Sequence, residues 1–427
     1  MANAARASKG GRTPLETIRI LAIGIVSLAF SGAFSASDEP KPLSADQVKE
    51  LQSSYQAERA AAEKSGLSRK FAPNLLLQAD ELAKKGEAAL AAGRLLEASA
   101  SFRGARWLLP ALPGDFPEHV RRVFGGLRLR HSDFIHALAF SADGSRLATA
   151  GHDGTVKIWD TATGRELRSF AHAEAARGLA FRPDGKAIAS AGGKDIKIWD
   201  LTTGKEIRTL EGHKDAVTSL AFSPDGKQLA SASQDTRVAL WNVETGKQTS
   251  SLVGHNGFVH AVAYSPNGKL LASVSKDGTS RIWNPANGSL LLQTQVVGGN
   301  AMTVAFSPDN KSFAAAGGDR AVRTYGTPVA GGGEEPAAGT VLQTLTGHSQ
   351  QVTCLAFHHD GKILATGSRD NTVRLWDPTN GQVIRTFRGH TEEVTALAFS
   401  PDGTQLVSAS QDQTVRFWGL DTVEYNR

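Results

Sequence analysis

Residues 213–241 read His213-Lys214-Asp215-Ala216-Val217-Thr218-Ser219-Leu220-Ala221-Phe222-Ser223-Pro224-Asp225-Gly226-Lys227-Gln228-Leu229-Ala230-Ser231-Ala232-Ser233-Gln234-Asp235-Thr236-Arg237-Val238-Ala239-Leu240-Trp241. Three short apolar runs are separated by turn chemistry. Pro-Asp-Gly between two β-prone runs predicts a hairpin, because Pro presets φ and Gly accepts a positive φ. The stretch therefore predicts a three-strand meander. The run 247–253 adds a fourth strand before Gly254-His255, so one unit is four antiparallel strands.

The unit recurs. From His213 an Asp falls 22 residues on and a Trp 6 beyond it, at Asp235 and Trp241. The same steps join His131, Asp153 and Trp159; His255, Asp277 and Trp283; His348, Asp370 and Trp376; and His390, Asp412 and Trp418. Two copies are degraded. One has His172 and Trp199 but is a residue short between them, with Gly192-Gly193 at the Asp turn. The other has Val297 at the His position, keeps Asp319, and has Tyr325 for Trp. Seven units with Gly-His and Trp-Asp signatures, repeating about every 40–45 residues, predict a propeller of seven four-stranded blades.

On these residues the chain from about position 119 onward resembles the WD40 repeat proteins, and its Ser-Pro-Asp-Gly turns resemble exported bacterial propellers. The literal Trp-Asp pair stands at 159–160, 199–200 and 376–377. The resemblance implies a mainly β fold, a seven-bladed WD40 β-propeller preceded by a short α-helical segment. It also implies that His, a Ser or Thr, Asp and Trp form a hydrogen-bonded tetrad in each blade. The hydroxyl member stands four residues before the Asp: Thr149, Ser231, Ser273, Thr366 and Ser408, with Ser190 in the second copy and Ala315 in the fifth.

Length and composition agree with a large core plus a second element: 427 residues, 40% apolar and 21% charged. The one cysteine, Cys354, lies in a strand pattern and has no internal disulfide partner. No C-x-x-C, H-E-x-x-H, G-x-S-x-G or P-loop motif is present, so the sequence indicates no metal, cofactor or catalytic centre.

Residues 1–19 carry Arg6, Lys9, Arg12 and Arg19 against Glu16, and residues 18–34 are largely apolar. A basic start, an apolar run and small residues predict an export signal in 1–36, cut after Ala33, Ser35 or Ala36. An uncleaved membrane anchor and a buried N-terminal helix are the alternatives. Either way the expected location is extracytoplasmic, with membrane contact through this segment alone. It accounts for three of the five net positive charges. The remainder carries too little charge to argue for nucleic acid, which leaves other proteins as the expected partners.

Residues 37–42 read as a linker opening a helical segment, 37–118. Ser44-Ala45-Asp46-Gln47 resembles a capping box, with a helix expected to about Lys64 that presents Val48, Leu51 and Tyr55 on one face. A helical hairpin is expected over about 75–110, with Trp107 as an anchor. Gly86, Ala98, Phe102, Ala105 and Pro110 give it a spacing that resembles one tetratricopeptide repeat. One such unit cannot bury its own face, so a hairpin packed on the propeller, a partner or itself is the simpler expectation.

Only nine residues follow Trp418, too few for a fourth strand in the last blade. The propeller, 119–427, is expected to close with a strand at 120–129 beside the one ending at Trp418, which removes an open edge. The step from Tyr325 to His348 is nine residues longer than that from Trp199 to His213, which places a flexible loop at 330–339.

His, Ser/Thr and Asp together raise the question of a hydrolase triad. One reaction does not need five copies at fixed spacing, whereas a bond holding each blade does. The expectation is a non-catalytic protein-interaction scaffold. An enzymatic or small-ligand propeller with a site in its channel is the alternative. By position, the resemblance puts docking residues after each His and just before each Asp. These are Phe134, Ser132 and His152; Ala216, Lys214 and Gln234; Phe258, Asn256 and Lys276; Asn300 and Gly318; Gln351 and Arg369; Glu393 and Gln411. Phe134 and Phe258 stand out, since aromatics are enriched among binding hot spots, and both are expected to point away from the core.

Overall fold

The computed structural model describes residues 44–64, 73–108, 120–124, 129, 131–161, 164–328 and 337–420. Helices α1 (Ala45–Lys64), α2 (Pro73–Ala91) and α3 (Leu95–Leu108) come first. Among the described residues twenty-eight strands follow, in seven four-stranded antiparallel sheets.

The helices share one apolar core. Val48 and Tyr55 of α1 meet Ala79, Ala83 and Ala89 of α2 and Ala98, Phe102 and Ala105 of α3. Gly86 is small because Phe102 lies over it; a Cβ there would come within 3.1 Å of the ring. Gly93, at φ +72°, turns α2 into α3. Arg59 binds both oxygens of Asp80 at 2.9 and 3.0 Å, and Tyr55 donates to the same carboxylate at 2.5 Å. The hairpin thus packs on α1. Trp107's side chain, the linker 37–42 and Pro110 lie outside the described residues.

Each blade is a meander set by its turns. In 223–228 the Ser223 hydroxyl donates to Asp225 at 2.6 Å, Lys227 N–H donates to the same oxygen at 3.0 Å, and Gly226 takes φ +68°. The strands then pair in register, Leu220 opposite Ser231 and Ser231 opposite Ala239. Apolar residues on the two faces of each sheet pack against the next blade. Ala148, Ala150, Val156 and Ile158 of blade one meet Leu179, Ile188 and Trp199 of blade two. The same arrangement repeats round the ring, ending with Val407, Ala409, Val415 and Phe417 of blade seven against Ile135, Leu147 and Trp159 of blade one. Side chains of this size contribute about 1.5–3 kcal/mol each when fully buried, so the blade interfaces hold most of the fold's apolar stabilisation.

Strand β1 (Val120–Phe124) completes the last blade. It pairs antiparallel with Val415–Gly419, Val120 opposite Trp418 and Phe124 opposite Val415. Of the expected 120–129, residues 125–128 lie outside the description, as does most of the inserted loop. Removal of residues 120–124 strips the ladder from Val415–Gly419 and leaves an open edge. That deletion is expected to lower the melting temperature and produce concentration-dependent association in light scattering; an unchanged monomer with wild-type melting would show that β1 does not close the ring.

Candidate interaction face and the network beneath it

The first and second strands of a blade bring a His-bearing loop and an Asp-bearing turn together at one end. The His Nδ1 to Asp distances are 3.0 Å for His131–Asp153, 2.8 Å for His213–Asp235, 2.9 Å for His255–Asp277, 2.8 Å for His348–Asp370 and 2.9 Å for His390–Asp412. The other ring nitrogen lies 2.7–2.8 Å from Thr149, Ser231, Ser273, Thr366 and Ser408. The indole N–H of Trp159, Trp241, Trp283, Trp376 and Trp418 donates to the same hydroxyls at 2.7–2.8 Å.

Donor logic orients this chain. The hydroxyl accepts from Trp and donates to Nε2, and Nδ1–H donates to the carboxylate, so the imidazole is neutral. Burial favours that form, lowering the pKa of His131, His255 and His390. Burial works against the ionised carboxylates, but hydrogen bonds outweigh it. Asp235 and Asp277 sit at about 2, and Asp153, Asp370 and Asp412 are likewise pushed down. Their other donors include the loop N–H of Ser132, Lys214, Asn256, Ser349 and Thr391 at 2.8–3.0 Å.

The sequence reading missed a further member. The hydroxyl two residues past the Asp, on Thr155, Thr279, Thr372 and Thr414, donates to that carboxylate at 2.6–2.7 Å. Asp-x-Thr in four of five regular copies was the available signal; the third copy has Arg237 there. The degraded copies keep parts of the set. His172 lies 2.8 Å from Ser190, which accepts from Trp199 at 2.8 Å, and the Gly192-Gly193 turn supplies no carboxylate. In blade five Val297 is exposed, and Asp319 pairs instead with Arg323 at 2.6 Å.

The expected docking positions fall in spatial pairs. The residue before each Asp donates its N–H to the carbonyl three past the His: His152 to Phe134, Gln234 to Ala216, Lys276 to Phe258, Arg369 to Gln351 and Gln411 to Glu393, all at 2.8–2.9 Å. One backbone frame thus carries different side chains. Phe258 is 38% exposed, with Lys276 Nζ 5.1 Å from its ring centre. Phe134 departs from expectation. It is half-buried, stacked on His152 at 4.4 Å and edge-on to His136 at 4.9 Å, because those rings close over it. Arg369 and Gln411 are turned toward each other through Glu393, at 3.2 and 3.3 Å. In blade five the Asn300 side-chain oxygen lies 3.1 Å from His260, its carbonyl accepts from Gln351 at 3.3 Å, and Gly318 N–H bonds Gly299. Among the described residues no group of three or more His, Cys, Asp or Glu side chains is placed to hold a metal ion.

Two measurements check the network. Asp235→Ala orphans His213 and is expected to destabilise by roughly 1–3 kcal/mol, and Asp319→Ala by less, since it faces no His; equal melting shifts would contradict this. The acid side has its own sign. His136 and His172 are held at about 4, by burial first and then by nearby Arg177 and Lys197 respectively, against an ordinary 6.5. Unfolding lets them bind protons between those values, so stability falls as pH drops from about 6.5 to 4. The depressed aspartates add stability above about 3.8 that is lost as pH falls toward 2. His172→Gln should blunt the melting decrease between pH 7 and 4; an identical decrease would show that His172 takes no part in it.

Comparison with known proteins agrees with this geometry. A model described as WD domain, G-beta repeat matches residues 127–160, 339–377 and 381–419, and one described as IFT122 first beta-propeller matches 176–330. Both begin after the helical segment, so its likeness to a tetratricopeptide unit gains nothing from them. A ribosome biogenesis protein, erb1, of Aspergillus clavatus is 38% identical over 98 residues, 21% of this chain and 12% of that protein. The BOP1 homolog of Aedes aegypti, also named a ribosome biogenesis protein, is 32% identical over 100 residues, 22% and 11%. The Notchless protein homolog of Arabidopsis thaliana is 60% identical over 35 residues, 8% and 7%. The chain therefore spans about an eighth or less of the length of these relatives. They are eukaryotic and two are named for ribosome biogenesis, a process inside the cell, which overturns the expected extracytoplasmic location and the likeness to exported bacterial members. The physical weakness of that expectation is that a basic start and a short apolar run are a local pattern with no repeat to check it; for the anchor alternative, seventeen residues reach about 25 Å as a helix, short of a hydrocarbon core of about 30 Å. Residues 1–36 lie outside the description, and among the described residues no helix is long and apolar enough to cross a membrane. The chain carries WD40 repeats, and its seven sheets are the blades of a mainly β propeller.

Proposed function

We propose that the propeller is a non-catalytic platform on which a partner protein seats, using the face made by the His-bearing and Asp-bearing loops. The observation that carries this reading is the constant backbone frame under side chains that differ from blade to blade. A recurrent frame holds position, and variable exposed side chains give recognition. The relatives' names suggest that the partner belongs to a multi-component assembly such as a ribosome precursor.

Burial argues against a hydrolytic role for the recurring His, Ser and Asp. Ser231 and Ser273 have no exposed surface, and each hydroxyl already accepts from an indole N–H. A substrate carbonyl would have to displace Trp241 or Trp283 to reach them, and both indoles sit in the blade-interface cores.

Phe258 is the cleaner probe of the face, because Phe134 has neighbours to lose. Phe258→Ala is expected to weaken capture of the partner from a native cell extract by about 2 kcal/mol, roughly thirtyfold, with melting unchanged. Phe134→Ala should weaken capture and also lower melting slightly. Normal capture by both variants would place the docking surface elsewhere.

A further inference from the structure

Six innermost strands begin with an apolar residue and then a bulge that leaves the second residue out of the ladder. In blades three, six and seven that second residue is Thr218, Thr353 or Thr395. Each hydroxyl donates to the first carbonyl of the next innermost strand: Thr218 to Val259 at 2.6 Å, Thr353 to Val394, and Thr395 to Ile135 at 2.5 Å. These bonds stitch neighbouring blades at the channel mouth, on the face of the His-bearing loops. Blades one, two and four have His136, Arg177 and His260 at the same place.

Two of the exceptions go together. Blade one reads Phe134-Ile135-His136 and blade four Phe258-Val259-His260, whereas the stitched blades read Ala216-Val217-Thr218, Gln351-Val352-Thr353 and Glu393-Val394-Thr395. Where the loop carries an aromatic ring, the stitch is given up for an imidazole. A basic group completes each cluster: Lys276 beside Phe258, and Arg177 on the blade next to His136. His136 Nε2 lies 3.1 Å from His152 Nδ1, which fixes both rings against Phe134. Blades one and four have two blades between them on one side and three on the other, so the clusters face each other across the channel mouth.

We infer that the two clusters form one site for an acidic segment of the partner protein, with apolar side chains against Phe134 and Phe258 and carboxylates on Arg177 and Lys276. This rests on the platform reading above. Charge complementarity selects the occupant, since guanidinium and ammonium groups beside aromatic rings suit a carboxylate flanked by apolar side chains. The acids of neighbouring loops are spoken for or set aside: Glu393 is held by Arg369 and Gln411, Asp133 accepts from the N–H of Phe134, and Glu174 packs over Gly193.

The test is fluorescence anisotropy of the purified full chain with three labelled probes: a peptide rich in Glu and Leu, its Lys-for-Glu counterpart, and a uridine oligonucleotide. The acidic peptide is expected to bind, more weakly as salt rises, and the Lys counterpart not to bind. The double variant H136T/H260T installs the residue that the stitched blades carry. It should fold with melting at or above wild type and bind the acidic peptide at least tenfold more weakly; R177A/K276A should show the same loss. Equal binding of the Lys counterpart, undiminished binding by both double variants, or binding of the oligonucleotide in place of the peptide would overturn the inference. If the acidic peptide fails while capture from extract still depends on Phe258, the platform stands and the acidic partner falls; if capture is also indifferent to Phe258, both fall.

Discussion

The structure depends on one buried hydrogen-bond chain: Trp N–H to a Ser or Thr hydroxyl, hydroxyl to His, His to Asp. Every member is polar and nearly every atom of it is hidden, so each would be costly to bury alone. Together they satisfy one another, and the chain runs across three strands of a blade. It ties the blade's interior, where the Trp packs against the preceding sheet, to the surface turn that carries the Asp. A neutral imidazole makes this workable, since it both donates and accepts without placing a charge in the core.

This interior fixes the surface. The Asp, held from below by His and, in four of the five regular blades, by Thr, holds the loop N–H groups above it, and the adjoining turn then bonds back to the His-bearing loop. The loops owe their shape to buried groups, so their outward side chains are free to vary. Where variation includes Phe134 and Phe258, it extends inward to His136 and His260 and displaces the threonine bonds that elsewhere join the blades. Recognition and ring stability thus meet at the channel mouth.

Much of this was legible in the sequence because the repeat has a fixed period. His213, Ser231, Asp235 and Trp241 can be found by counting, and the same count shows which blades have lost a member. Thr155 and its counterparts were also within reach, in a plain Asp-x-Thr pattern. The half-burial of Phe134 was not, because it comes from His152, 18 residues away, and from a backbone bond that only the folded loops make. The threonine stitches depend on a neighbouring blade's carbonyl, 41 residues along for Thr218 and 260 back for Thr395. The expected extracytoplasmic location failed for another reason. A short run of apolar and basic residues has no long-range pattern to check it, whereas a blade is checked six times over.

Hydrogen exchange of the tryptophan indole N–H groups, followed by NMR, reads whether the recurring polar set is architecture. Slow exchange is expected for Trp241, Trp376 and Trp418, with Ser231→Ala accelerating Trp241 and leaving the other two protected. Rapid exchange of all three in the wild-type protein, or no effect of Ser231→Ala on Trp241, would contradict it.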